Sequence, residues 1–276
     1  MEAKTQHATL EPARIARVPD GVVVEDLQGI AAMEDVEALQ GSIWGSDLTW
    51  VVPSHLLYIV SDYGGILLGA SIDRRLVGFV FGLLGRRDGH LLHASHMLGI
   101  LPEYQGHGIG AALKNRQRER AREQGLDTMV WTFDPLEARN AYFNFHKLRV
   151  SCRTYRPDYY GAMRDTLNQG LPSDRLVVDW DLRDAGRAFA SDTTRAPLAI
   201  LLDTGGRPAL EIPETDPGRP LAIHVPANIQ ALRKADPAAA LAWRTATRHA
   251  FSWAFERGYT ARDFSGCAHV LFPPHS

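Results

Sequence analysis

The residues of this chain best suited to do chemistry stand in one short run, Gln105-Gly106-His107-Gly108-Ile109-Gly110. Glycines at alternate positions let a backbone turn sharply and bring several N–H groups toward one ligand. Behind them, Ala111 to Gln124 is rich in Ala, Leu, Arg, Glu and Gln and meets no breaker before Gly125. It predicts a helix, and the positive end of its dipole falls at Gly110 to Leu113. Loop amides and a helix N-terminus together make a receptor for an anion, typically a phosphate. In front, Leu91 to Leu101 is mostly apolar and stops at Pro102; it predicts a strand buried on both faces.

Three phosphate-binding classes compete for this loop. A P-loop needs Gly-Lys-Ser/Thr after the spacer, and that is absent. Gly106, Gly108 and Ala111 formally match the dinucleotide fingerprint G-x-G-x-x-A, and Asp134 ends the next strand where a ribose-binding acid would stand. That fingerprint follows its strand directly and opens the first βαβ unit. Here residues 102–105 intervene and about a hundred residues of other elements precede. The third class fits in register. Residues 102–110, PEYQGHGIG, resemble the pyrophosphate loop of the GNAT acyl-CoA N-acyltransferases, with Gln105, Gly108 and Gly110 on the family positions. Residues 133–148, FDPLEARNAYFNFHKL, resemble the second motif of that family, a helix across the mouth of the acyl-CoA slot. Tyr159-Tyr160-Gly161 resembles a branch carrying an extra C-terminal region.

The elements that must position the loop follow from periodicity. A β-branched strand over 22–27 leads to helices over 29–40 and 53–63, with Trp44 and Trp50 between them. Those tryptophans border an acceptor site, as the resemblance implies, or pack under a loop. Apolar runs at 66–72, 76–84 and 91–101, joined by Asp73-Arg74-Arg75 and by 86–89, read as an antiparallel meander. After the loop and its helix come a strand over 128–133, a helix over 136–148 and a strand over 151–156. This is not the alternation of a doubly wound sheet. The expected fold is α/β (α+β): a GNAT-like mixed, mostly antiparallel central sheet flanked by helices. Residues 1–20 read as a tail, 21–165 as the acyltransferase core and 174–276 as a C-terminal α/β extension. That extension is either a degenerate half of the same core, lacking a glycine loop, or an unrelated addition. Within it, strands are expected at 175–182, 196–203, 209–212 and 221–225. Helices follow at 227–235 and 237–257, then strands at 259–264 and 269–272.

Composition narrows the classes further. In 276 residues, a net charge of −2 and a pI near 6.6 give no nucleic-acid footprint. Cys152 and Cys267 are too few for a disulfide framework and read as reduced thiols of a cytoplasmic protein. No signal peptide and no membrane-length apolar run are read, and no His/Cys/Asp cluster has the spacing of a metal site.

The resemblance implies acetyl-CoA as co-substrate, or another acyl-CoA such as succinyl-CoA, and a small amine or amino acid as acceptor. A homodimer is compatible with this reading. The amides of Gln105, Gly106, His107, Gly108, Ile109, Gly110 and Ala111 would hold the diphosphate. The edge of Leu98, Gly99 and Ile100, with Asn140, would hold the pantetheine arm, and Lys114 and Arg118 would meet the adenosine phosphates. Arg116, Arg120 and Arg122 read as a solvated basic face. The reaction is direct attack of an amine on the thioester, needing a base, an oxyanion donor and an acid for the thiolate. Many family members place a tyrosine acid where this chain has Phe145. Tyr142 and His146, four apart on one helix face, are the substitutes, and His96, with His93 and Ser95, supplies candidate bases. Two rival readings remain open: a non-catalytic acyl-CoA-binding protein and a nicotinamide-dependent oxidoreductase.

Overall fold

The computed structural model describes residues 21–45, 51–163, 170–183, 196–215 and 218–274; the expected tail over 1–20 and Trp50 lie outside these. The chain runs β1 (Val23–Asp26), α1 (Gly29–Trp44), α2 (Ser54–Asp62), β2 (Ile66–Ile72), β3 (Arg75–Arg87), β4 (His90–Ile100), α3 (Ile109–Glu123) and β5 (Thr128–Phe133). Next come α4 (Ala138–Ala141), which passes into a π-helical turn (Tyr142–Lys147), β6 (Ser151–Arg156) and β7 (Arg175–Asp181). The rest is β8 (Leu198–Asp203), β9 (Pro208–Leu210), β10 (Leu221–His224), α5 (Ile229–Ala235), α6 (Pro237–Glu256), β11 (Thr260–Ser265) and β12 (Ala268–Phe272).

These strands form one mixed sheet in the order β1-β2-β3-β4-β5-β7-β6-β11-β12-β10-β8-β9. Among the described pairs only β4–β5 and β10–β8 are parallel. The meander β2-β3-β4 is closed by tight turns. Asp73 and Arg74 both take positive φ, as do Asp88 and Gly89, the requirement of a two-residue hairpin turn whose twist matches the strands. The strand expected to open the extension lies inside the first half of the sheet. β7 inserts between β5 and β6, paired from Phe133↔Leu176 to Thr128↔Asp181 on one side and from Arg156↔Arg175 to Ser151↔Asp179 on the other.

The sheet continues into the C-terminal half through a single narrow seam, where β6 meets β11 at Cys152↔Ala261. Across it the topology repeats. The order β4-β5-β7-β6 on one side is matched by β8-β10-β12-β11 on the other, with a parallel pair outermost and a returning hairpin crossing inward in each. α6 packs against this half-sheet. Asp236 caps it by accepting from the Ala239 N–H, Pro237 opens it, and Gly258 follows with φ 79°. Its buried face carries Ala240, Trp243, Arg244, Thr247, Ala250, Phe251 and Ala254. Arg244 is buried but not unpaired. It grips Asp134, at the end of β5, with Nη1 at 2.9 Å from Oδ1 and Nη2 on Oδ2.

Candidate functional site

The meander delivers β4 to β5, and there the sheet parts. The two strands pair only at His93↔Met129 and Ala94↔Val130. From Ser95 to Ile100, β4 keeps β3 as its partner through the register Gly82↔Ser95 to Gly78↔Ile100. From Trp131 to Phe133, β5 keeps β7. Each strand therefore turns an unpaired edge toward the other, and a fork opens with its apex at Ser95 and Trp131. A register shift between Phe81 and Gly82 places an irregularity in β4 at the same level, the local device that bends a strand and ends a pairing. Free backbone groups along such an edge must find a partner, and an amide-bearing ligand laid along it supplies one.

The glycine run sits at the open end of the fork. Gly106 and Gly108 both have φ 84°, left-handed backbone that glycine takes at little cost. Gly108 is the N-cap of α3 and contributes no side chain to capping it. The first paired amide of the helix is that of Ala112, which donates to the Gly108 carbonyl at 3.1 Å. Among the described residues no protein acceptor is paired with the N–H groups of Gly106 to Ala111. Their donors and the helix dipole share one end of α3. Gln105 is tied back, its Nε2 donating to the Ile100 carbonyl at 3.1 Å. Gly110 has a packing reason: a Cβ there would lie 3.3 Å from Ile100 Cδ1 and 3.7 Å from both Leu98 Cδ2 and Phe143 Cζ. Gly99 has one too. A Cβ would strike Ile43, Phe79 and Trp44 at 2.8–2.9 Å, so α1 rests on this backbone, and close approach of a ligand is not what requires the glycine.

Residues 32–146 match the model of the family described as Acetyltransferase (GNAT) family. The chain carries a GNAT acetyltransferase domain. No curated protein matches the sequence. Among solved structures, the ribosomal-protein-S18-alanine N-acetyltransferase from Escherichia coli is 14% identical, with 60% of this chain and 97% of that one covered and a TM-score of 0.44. Aminoglycoside 6'-acetyltransferase type Ii is 14% identical, with 58% and 97% covered and a TM-score of 0.45. The PaiA N-acetyltransferase from Thermoplasma acidophilum, in complex with coenzyme A, is 14% identical, with 58% and 98% covered and a TM-score of 0.41.

Within the GNAT domain the residues read as acids and bases are dispersed. Phe145, at the position of the family tyrosine, is fully buried, edge-on to Phe133 and to His269. Tyr142 and His146 do share a helix face, stacked with centroids 4.7 Å apart, but His146 Nδ1 lies 3.2 Å from Asp263 of β11. The π-helical turn rotates this face toward the C-terminal half, a local change of pitch with functional precedent. What the turn offers the fork is Phe143, beside Gly110, and Asn144, whose Oδ1 accepts from Trp131 Nε1 at 3.0 Å. Asn140 is exposed one turn earlier. On β4, His96 is exposed and edge-on to Phe81. His93 is wholly buried with neither ring nitrogen bonded. Burial, and then the charge of Lys114, push its pKa down to about 4.

Lys114, expected to meet the adenosine phosphates from the helix surface, is instead placed inside by the fold. It is 2% exposed, and Nζ donates to Ser95 Oγ at 2.8 Å and sits 3.5 Å from the centroid of the Trp131 ring. Ser95 Oγ in turn donates to Gln117 Oε1 at 2.8 Å. Arg116 and Arg120 stay outside and pair with Asp26, Glu119 and Glu123. Arg118 lies over the Trp180 ring at 5.0 Å. The signal that Lys114 differs was available: it follows Leu113 and precedes Gln117 on the stripe that also carries Ile109 and Ala121.

Two further features bear on the rivals. Asp134, the acid that a dinucleotide site would need, is engaged by Arg244, by Arg175 at 3.7 Å and by the Leu136 N–H at 2.8 Å. A surface groove of about 730 Å³ beside α1 is lined by Asp35, Ser42, Arg74, Arg75, Leu101 and Glu103 among others, and includes no residue of the fork or of the glycine run. Among the described residues no group of three or more His, Cys, Asp or Glu is placed to hold a metal ion, and no helix is long and apolar enough to cross a membrane.

Proposed function

We propose that this protein is an acyl-CoA-dependent N-acyltransferase that moves an acetyl group to a small amine or amino acid. The observation that carries the reading is the set of unpaired amides from Gly106 to Ala111 at the mouth of an unpaired strand edge. A diphosphate suits the amides, and the two amide units of a pantetheine arm suit the edges of β4 and β5. From Ile100 back to Ser95 the edge spans roughly 16 Å at ~3.3 Å per residue. An extended pantetheine arm has a length of the same order, so its sulfur would arrive at the apex. The acceptor would attack the thioester carbonyl there, and the strand amides at the β4 irregularity would stabilise the oxyanion.

Binding and transfer are tested separately. Coenzyme A should raise the melting temperature and NAD should not; no shift with coenzyme A removes the reading. A thiol-release screen of acetyl-CoA and succinyl-CoA against small amines and amino acids of both hands then names donor and acceptor. A second reading, an acyl-CoA-binding protein without turnover, draws on Phe145, which puts an apolar ring where the family has a hydroxyl. Coenzyme binding with no thiol release from any pair would favour it.

A further inference from the structure

We propose that Lys114 is the general acid that protonates the departing thiol of the coenzyme, a reading that rests on acyl-CoA occupying the fork. The position comes from the sheet. Ser95 and Trp131 are the first residues of β4 and β5 beyond the last paired rung, Ala94↔Val130. Lys114 Nζ touches both, at 2.8 Å from the Ser95 hydroxyl oxygen and 3.5 Å from the Trp131 ring centroid. It thus bridges the strands where they separate, at the depth an arm anchored on residues 106–111 reaches.

The surroundings suit a proton donor. Lys114 has no ion-pair partner among the described residues. The groups around it are Ser95 and the uncharged, unbonded His93 from β4, Gln117 from its own helix and the Trp131 ring from β5. The ring and the hydroxyl oxygen favour an ammonium. Burial opposes it and holds the pKa well below the ordinary lysine value. An ammonium so placed gives up its proton more readily than a solvated one. The other protons at the apex, on Ser95, Gln117, Trp131 and the neutral His93, belong to far weaker acids than an ammonium; Phe145 has none, Tyr142 stacks on His146, and His146 Nδ1 lies against Asp263 of β11.

The step balances. The acceptor nitrogen bonds to the thioester carbon, the C–S bond breaks, and its electron pair stays on sulfur. A Lys114 N–H proton passes to that sulfur, giving free thiol and a neutral lysine. The acceptor nitrogen loses one proton to solvent, and Lys114 takes one from solvent once the products leave.

The experiment compares wild type with Lys114→Met, using coenzyme A binding by calorimetry and the pH profile of kcat with the acceptor found by thiol release. Coenzyme affinity within about threefold, kcat lower by about 10²-fold or more and loss of the limb that falls at high pH are expected. A kcat within about threefold of wild type overturns the proposal. So does a folded variant that no longer binds coenzyme A, because Lys114 then holds the coenzyme. If the variant does not fold, the wild-type profile decides together with Ser95→Ala, which removes an acceptor from the ammonium and should move the falling limb to lower pH. A wild-type profile without such a limb up to about pH 10, or a limb that Ser95→Ala leaves in place, overturns it. Absence of coenzyme binding by the wild type sinks the parent reading and is distinct from all of these.

Discussion

A glycine with φ 84° at the N-cap of α3 and two histidines held neutral by burial are the residues whose chemistry can be followed furthest. Gly108 holds a conformation that costs an L-residue on the order of 1–2 kcal/mol. A β-branched side chain there pays that cost and also intrudes on the amides beside it. Gly108→Val should stay folded, with a melting temperature lower by a few degrees, and should weaken coenzyme A binding by more than about tenfold in calorimetry. His93 and His269 are buried, and each has its pKa pushed down to about 4, chiefly by burial. The unfolded chain binds a proton on each near the ordinary value of 6.5 while the folded chain refuses it until about pH 4. Stability is therefore complete above about pH 6.5 and falls as the pH drops toward 4. Urea unfolding should show a loss of a few kcal/mol between pH 7 and pH 5. His269→Gln keeps a donor for the Pro135 carbonyl, which His269 Nε2 meets at 2.8 Å, and should make that loss smaller. The glycine run was legible in the sequence because φ and close approach are local demands. The inward face of Lys114 was legible from the stripe it shares with Ile109, Leu113, Gln117 and Ala121, but its place at the fork was not, because that depends on which strand crosses beneath α3.

At the scale of elements, α6 and the end of β5 act as one unit. Asp134 also accepts from the Leu136 N–H and so fixes the turn that launches α4. Asp174, fully buried, is held by Arg248 at 2.7 and 2.9 Å, by the Tyr155 hydroxyl at 2.7 Å and by the Asp158 N–H at 3.0 Å. Buried carboxylates of this kind are costly once a partner is removed. Arg244→Met should destabilise the fold by about 3–5 kcal/mol in chemical denaturation, and adding Asp134→Leu should recover part of that. An effect below about 1 kcal/mol, the size of an exposed pair, would count against the lock. Helices and strands were readable here from periodicity, since α6 and β10 to β12 fall close to their expected ranges. Their docking was not. Arg244 and Asp134 are 110 residues apart, and Asp134 taken alone looked like a ribose ligand. The insertion of β7 between β5 and β6 is a pairing choice between strands, which alternation within one strand does not encode. The π-helical turn was equally hidden, since 142–147 has the composition of an ordinary helix.

For the whole molecule the seam between β6 and β11 decides how the two halves behave. The repeated order of strands on either side gives the sheet a two-fold character, and the edge of β6 that would otherwise be open is covered by the chain itself. An open edge of that length invites pairing with another chain, so the C-terminal half protects the acyltransferase half as well as extending it. Backbone pairing at the seam is confined to one register pair, while much of the attachment is carried by side chains, Arg244 and Arg248 from α6 and Phe251 against Tyr155 of β6. Cys152 reports on it. It is 1% exposed at the paired position, and burial pushes its thiol up to about 12, so the closed seam leaves almost no thiolate to react. Cys267, the only other cysteine, is partly exposed. A thiol reagent at pH 8 should therefore label one site quickly and the second at the rate at which the seam opens. Arg244→Met should speed the second phase by tenfold or more while leaving the first in place. Equal slowing or equal speeding of both phases would mean that the halves do not part at Cys152 and that the sheet opens as a single unit.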